Sequence, residues 1–272
     1  MVICFALLSG QAVAGKPLIL KPNRIEISYT KPQNPAHQSI YELLKERRVL
    51  ERFQSYLSPL RLPRTLLLKT EGCDGEANAW YEESDRTVTV CYEYIEELQS
   101  NMPDTTTAGG VTPQDAVVGP TMQVFLHEIS HALFNLLKVP ILGREEDAAD
   151  QVAAYLMLHL DEDIKRPAIA GVVFMYGKEA KSENLNLEDF ADEHGTSSQR
   201  LYNLLCLAYG SDPKLFGDVL EKGYLPKDRG KLCTDEYKQI DYAFAKLIRP
   251  YVDEAVRKKV QPKKLSRPVV KN

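Results

Sequence analysis

The sequence has no excess of positive charge. Its 34 Lys and Arg stand against 38 Asp and Glu, a formal net charge of −4. That argues against a dedicated nucleic-acid binder, which needs a basic face to meet phosphates. Past the first residues there is no apolar run of about 20 residues, the length a membrane-spanning helix requires. There is no internal repeat and no low-complexity tract, so solenoids and biased linkers are set aside. Histidine and cysteine are scarce, with five of each. What is left is the composition of a packed globule: 44% hydrophobic and 26% charged residues over 272 positions. That length suits one large domain or two small ones.

The two ends of the chain read as accessory segments. Residues 1–14, MVICFALLSGQAVA, carry an apolar run from Val2 to Leu8 and then small-x-small at Ala12-Val13-Ala14. This is the back half of a secretory signal peptide without its basic n-region. The competing reading is a buried N-terminal strand. Residues 256–272, VRKKVQPKKLSRPVVKN, read as a basic disordered tail. A single domain over 15–255 remains, expected in the periplasm or outside the cell, with no stable span after signal cleavage. Removing the first segment leaves Cys73, Cys91, Cys206 and Cys233. An even count in an exported chain predicts disulfides. Cys73 and Cys91 flank an apparent hairpin, and Cys206 and Cys233 lie on a helix and the segment after it. Local pairing, Cys73–Cys91 and Cys206–Cys233, is therefore expected. Four buried free thiols would suit a cytosolic chain instead.

Between these ends the pattern moves from strands to helices. Arg24–Thr30 alternates apolar and polar residues, as a strand does. Ser39–Leu57 has helical spacing. Arg64–Thr70 is a buried strand, and Ala77–Tyr81 and Thr87–Tyr92 form a hairpin over a Glu-Glu-Ser-Asp turn. Residues 92–102 suggest a short helix and 103–119 a long loop. Helical periodicity runs from Pro120 to Leu137, from Glu145 to Leu160 and from Ser197 to Tyr209. It returns over Asp212–Glu221 and Thr234–Pro250. Ala168–Gly177 is apolar and rich in small residues, and Leu185–Thr196 is a polar loop. The fold class predicted is α+β: a small antiparallel or mixed N-terminal sheet, an active-site helix and a helical C-terminal half.

The stretch FLHEISHALFNLL, Phe125–Leu137, sets two histidines and a glutamate in an apolar helix. Burying such groups is costly unless something compensates them. His127 and His131 are four residues apart, so their imidazoles share one helix face. Two imidazoles so placed can bind one Zn²⁺, while Glu128 reaches a water on the ion's open side. The uncharged neighbours Val124, Phe125, Leu126, Ile129, Ala132, Leu133 and Phe134 make a solvated polar stripe a poor explanation. A catalytic zinc needs a third protein ligand, and LGREEDAADQVAAYLML supplies candidates on the next helix. Glu146 is assigned as the ligand and Asp150 as its neighbour, hydrogen-bonded to a ligating histidine. Glu145, Asp147 and Asp150 itself are rivals, and acids at a helix N-terminus also have an electrostatic reason to be there.

His127-Glu128-Ile129-Ser130-His131, followed by Glu146 and Asp150, resembles the glutamate-zincin pattern of thermolysin-like enzymes. More closely, the chain resembles a family of exported bacterial proteins described as metallopeptidases from that motif. The resemblance covers most of the mature chain, including CDGEANAWYEESDRTVTVCYEYI, GREEDAADQ, EHGTSSQRLYNLLCLAYGSDP and LPKDRGKLCTDEY. The chain departs from thermolysin-like enzymes in its shorter length and the short interval between His131 and Glu146. The resemblance implies a zincin-like fold, Zn²⁺ as cofactor, a peptide or protein substrate, and Glu128 as general base. Endopeptidase action is favoured over exopeptidase action. It implies an edge strand that pairs with substrate, here Asn78, Ala79, Trp80 and Tyr81. It also implies a downstream group for the oxyanion. His194 is the candidate, oriented by Asp192 or Glu193, with Tyr202 as the substitute. Arg200 offers either that role or a buried ion pair. The alternative function is a catalytically silent zincin scaffold that binds in the cell envelope.

Overall fold

Strands open the chain and helices fill the rest. The structure is a computed structural model and describes residues 19–260. Residues 1–18, which include the expected signal segment, and residues 261–272 lie outside the described residues. The sheet is built from β1 (Ile25–Tyr29), β2 (Leu66–Glu71), β3 (Ala79–Glu82) and β4 (Thr87–Cys91). Its spatial order is β1-β2-β4-β3, with β1 and β4 parallel to β2 and β3 antiparallel to β4. The sheet is therefore mixed, and β3 is an edge strand. Every residue of β4 is buried, as expected of a strand covered on both faces. β3 alternates half-buried and exposed positions instead, with Trp80 and Glu82 outward.

Helices α1 (Gln38–Glu46) and α2 (Val49–Leu57) connect β1 to β2. One helix was expected there. Arg48 adopts a left-handed backbone, φ 53°, and breaks it in two. The apolar period continues across the break, so spacing alone conceals it. Helix α3 (Tyr92–Asn101) follows β4 directly. The expected loop 103–119 is shorter, because α4 (Pro113–Leu137) begins seven residues before Pro120. Thr112 accepts from the backbone N–H of Asp115, and the Asp115 carboxylate accepts in return, closing a capping box ahead of Pro113. Pro120 then sits inside the helix.

Helices α5 (Glu145–Leu158) and α6 (Glu162–Ser182) pack on α4, which also lies against β3 and β4, and α7 (Ser197–Ser211) packs on α5 and α6 in turn. Phe125, Leu126, Ile129 and Leu133 carry α4 into the core. Helix α6 crosses α4 where two glycines meet it. A Cβ on Gly119 would overlap the Ala168 carbonyl, and one on Gly171 would overlap the Asp115 carbonyl. The expected helix over Asp212–Glu221 is reduced to α8 (Asp218–Glu221). Helix α9 (Lys227–Leu247) starts before the expected Thr234, and α10 (Glu254–Val260) carries helix into the first residues of the expected tail. Disulfides join Cys73 to Cys91 and Cys206 to Cys233, the local pairing. Among the described residues no helix is long and apolar enough to cross a membrane.

Candidate metal centre

Two helices packed side by side supply the polar cluster. Along α4, Gln123, His127 and His131 recur every four residues and so face one way. Lys138 ends α4 in a left-handed conformation, φ 54°, and Gly143, φ 102°, turns the chain back into α5. Ala149 and Ala153 are fully buried on α5, and their small side chains let it lie close on α4. This brings the first two turns of α5 opposite the histidines.

Three atoms converge. His127 Nε2 lies 2.9 Å from Glu146 Oε2, His131 Nε2 lies 3.2 Å from the same oxygen, and the two Nε2 atoms are 3.2 Å apart. Ligands at about 2.0–2.1 Å on a tetrahedral ion stand roughly 3.3–3.4 Å apart, so the three atoms lie slightly closer together than an ion between them would hold them. The outer ring nitrogens are accounted for. His127 Nδ1 lies 2.8 Å from Asp150 Oδ1 and His131 Nδ1 lies 2.9 Å from Glu145 Oε1. An ionised carboxylate only accepts, so each Nδ1 carries a proton, and when the rings are neutral each Nε2 lone pair faces inward. Two lone pairs and a carboxylate oxygen aimed at one point repel unless positive charge lies between them. The donor set therefore fits a cation.

With no ion between them, the surrounding carboxylates favour the charged rings, so a cation bound here would displace protons. Burial works against a charged His127, but its hydrogen bonds to Asp150 and Glu146 outweigh that and push its pKa up to about 9. His131 is likewise held up against burial by Glu146 and Glu145. Burial favours a neutral Glu146, yet His127, His131 and His194 hold its carboxyl far below the usual range. Asp150 falls to about 2, where the bonds from His127 and Arg200 overcome its burial. Glu128 is 8% exposed, and burial raises its pKa above the carboxylate norm.

Of the rival acids, Glu146 occupies the converging position. Asp150 lies behind His127, Glu145 behind His131, and Asp147 pairs with Arg144 at 2.9 Å. Arg200 grips Asp150 with two bonds of 2.7 Å, forming the ion pair that was its alternative role. His194 reaches the cluster from the loop before α7. Its Nε2 is 2.9 Å from Glu146 Oε2, and its ring stacks on that of His127 with centroids 5.7 Å apart. Asp192 Oδ1 accepts from the His194 backbone N–H at 2.8 Å and lies 3.5 Å from its Nδ1. Tyr202, the expected substitute, is placed away from the cluster. It is 42% exposed and does not line the cleft. Two residues past Arg200 on α7, it points to the opposite side of the helix.

The cluster opens into a cleft of about 810 Å³, lined by Asn78, Ala79, Trp80 and Tyr81 on the β3 side. Glu128, His194 and Arg200 line it as well. Two residues escaped the sequence reading. Gln123 donates to Asp150 Oδ1 at 3.0 Å, and its spacing one turn before His127 was the available signal. Tyr176 lines the cleft from α6 with no motif to mark it.

A family model described as "Putative metallopeptidase" matches residues 29–248. No curated protein and no solved structure matches the chain.

Proposed function

The chain belongs to that metallopeptidase family, and from this premise we propose that it is a zinc-dependent peptidase using Glu128 as general base. The observation that carries the reading is the convergence of His127 Nε2, His131 Nε2 and Glu146 Oε2 beside Glu128 in an open cleft. Two imidazole nitrogens and one carboxylate oxygen converging on one point are a donor set that suits zinc. Zinc held there supplies Lewis acidity, which acidifies a water and polarises a peptide carbonyl.

The remaining steps belong to the protein's own side chains. Glu128 takes the proton of the attacking water and returns it to the leaving amine nitrogen. Its buried carboxyl, already displaced toward the neutral form, is suited to carry that proton between the two events. His194 Nε2 donates to the substrate oxygen as negative charge builds, and Asp192 steadies its loop. Asp150, held by Arg200 and Gln123, keeps His127 in the tautomer that presents Nε2. The free edge of β3 pairs with the backbone of an extended peptide. An edge strand suits the interior of a chain, which favours endopeptidase action. Two disulfides favour an exported protein.

The test is Glu128→Gln. It is isosteric and removes no ligand, so zinc content and melting temperature should match wild type. Hydrolysis of a quenched peptide should fall by about 10²–10⁴-fold. Full turnover in this variant overturns the mechanism, and wild-type turnover after complete chelation of metal overturns the function.

A further inference from the structure

The chemistry above leaves part of the cleft unused. Helices α3, α4, α6 and α7 wall it with Tyr94, Val124, Met175, Tyr176, Glu179 and Arg200. Tyr176 is 3% exposed, and its hydroxyl has no hydrogen-bond partner among the described residues. A buried hydroxyl in that state is stabilised by any guest that brings it a partner. The charges around it do not cancel locally. The Arg200 guanidinium lies 4.8 Å from the Tyr176 ring centroid, but Asp150 engages it through two bonds of 2.7 Å. Glu179 accepts a hydrogen bond from the neutral Ser197 hydroxyl at 3.0 Å, and no Lys, Arg or His forms an ion pair with it among the described residues. Its neighbour Lys178 bonds to Asn101 instead, at 2.7 Å. The walls between are apolar or lack a free donor, since the Tyr94 hydroxyl donates to Met175 Sδ at 3.8 Å.

We propose that this pocket takes the side chain of a lysine or arginine next to the scissile bond. The stem lies along Tyr94 and Met175, the head donates to the Tyr176 hydroxyl oxygen, and Glu179 supplies the countercharge. Long basic side chains combine an apolar stem with a charged head, which matches an apolar wall ending between a buried hydroxyl and a carboxylate. An acidic side chain would meet Glu179 and find Arg200 already engaged by Asp150. A neutral side chain of the same length would leave the Tyr176 hydroxyl unpaired. This selectivity rests on the peptidase reading, because it places the pocket beside a bond to be cut.

The experiment uses quenched peptides identical except for Lys, norleucine or Glu on either side of the cleaved bond. The expected order of kcat/KM is Lys, then norleucine, then Glu. The Lys-to-norleucine ratio should be about tenfold, the effect of one charge-assisted hydrogen bond. Glu179→Gln and Tyr176→Phe should each bring that ratio toward one without changing zinc content. Added salt should weaken it, since Glu179 is exposed to solvent. The same peptides are also titrated into the zinc-loaded Glu128→Gln variant by fluorescence anisotropy. Hydrolysis with a ratio near one overturns the pocket and leaves the peptidase standing. Absence of hydrolysis with tighter binding of the Lys peptide, lost in a Glu128→Gln, Glu179→Gln double variant, supports the pocket and overturns the peptidase. Neither hydrolysis nor discrimination in binding overturns both.

Discussion

Replacing Gly171 by alanine tests how α6 sits on α4. Two effects compete. In the middle of a helix the change gains about 1 kcal/mol of helix propensity. At the crossing, however, the added Cβ would overlap the Asp115 carbonyl oxygen. Overpacking in a filled interior costs about 1–3 kcal/mol, and a backbone carbonyl fixed in a helix cannot turn aside as a side chain can. The upper end applies, so the net loss is about 2 kcal/mol. For a domain of this size that lowers Tm by roughly 4–8 °C. Gly177 on the same helix is an internal control, because a Cβ there meets nothing within 4 Å. Gly177→Ala should therefore raise Tm by roughly 2–4 °C. Zinc affinity should be nearly unchanged in both, since Asp115 lies about 18 Å along α4 from His127. Differential scanning calorimetry with a parallel zinc titration reads all three. A Gly171→Ala protein as stable as Gly177→Ala would show that the crossing is not backbone against backbone.

Three further outcomes are expected. His127 has a pKa raised to about 9, so in chelator-treated protein the stability contributed by its imidazolium is full below about 6.5 and lost as pH rises through about 9. Zinc needs the neutral ring, so uptake at pH 7 should release at least one proton, and apparent affinity should climb with pH toward 9. Calorimetric enthalpies identical across buffers of different ionisation enthalpy would contradict this. The Cys73–Cys91 and Cys206–Cys233 bonds span 18 and 27 residues, for which loop-closure entropy gives about 3 and about 3.5 kcal/mol. Removing either pair with serine should lower Tm by roughly 6–14 °C under oxidising conditions, and an unchanged Tm would refute the estimate. His194→Ala should lower kcat by about 10²–10³-fold with little change in KM or zinc content, and an unchanged kcat would reduce His194 to a loop anchor.

The sequence by itself determined what depends on short-range geometry. Four-residue spacing puts His127 and His131 on one face of any helix, and the apolar neighbours require that face to be compensated. Alternation marked β1 and the hairpin, and cysteines flanking a hairpin were placed to pair. Local pattern was a poorer guide to boundaries. Arg48 breaks a helix whose apolar period runs on unchanged, and Pro120 lies inside a helix that Thr112 and Asp115 had already begun. Only the tertiary structure decided which acid completes the cluster. Glu145, Glu146, Asp147 and Asp150 fall within two turns of one helix, and the crossing of α5 on α4 fixes which of them reaches both Nε2 atoms. That crossing is set by buried Ala149 and Ala153 against α4, a relation between distant residues with no local period. The same holds for His194, carried in by a loop, and for Tyr202, turned away on α7. It holds for Tyr176 too, because α6 is brought to the cleft by the meeting of Gly119 and Gly171 with backbone far away in sequence.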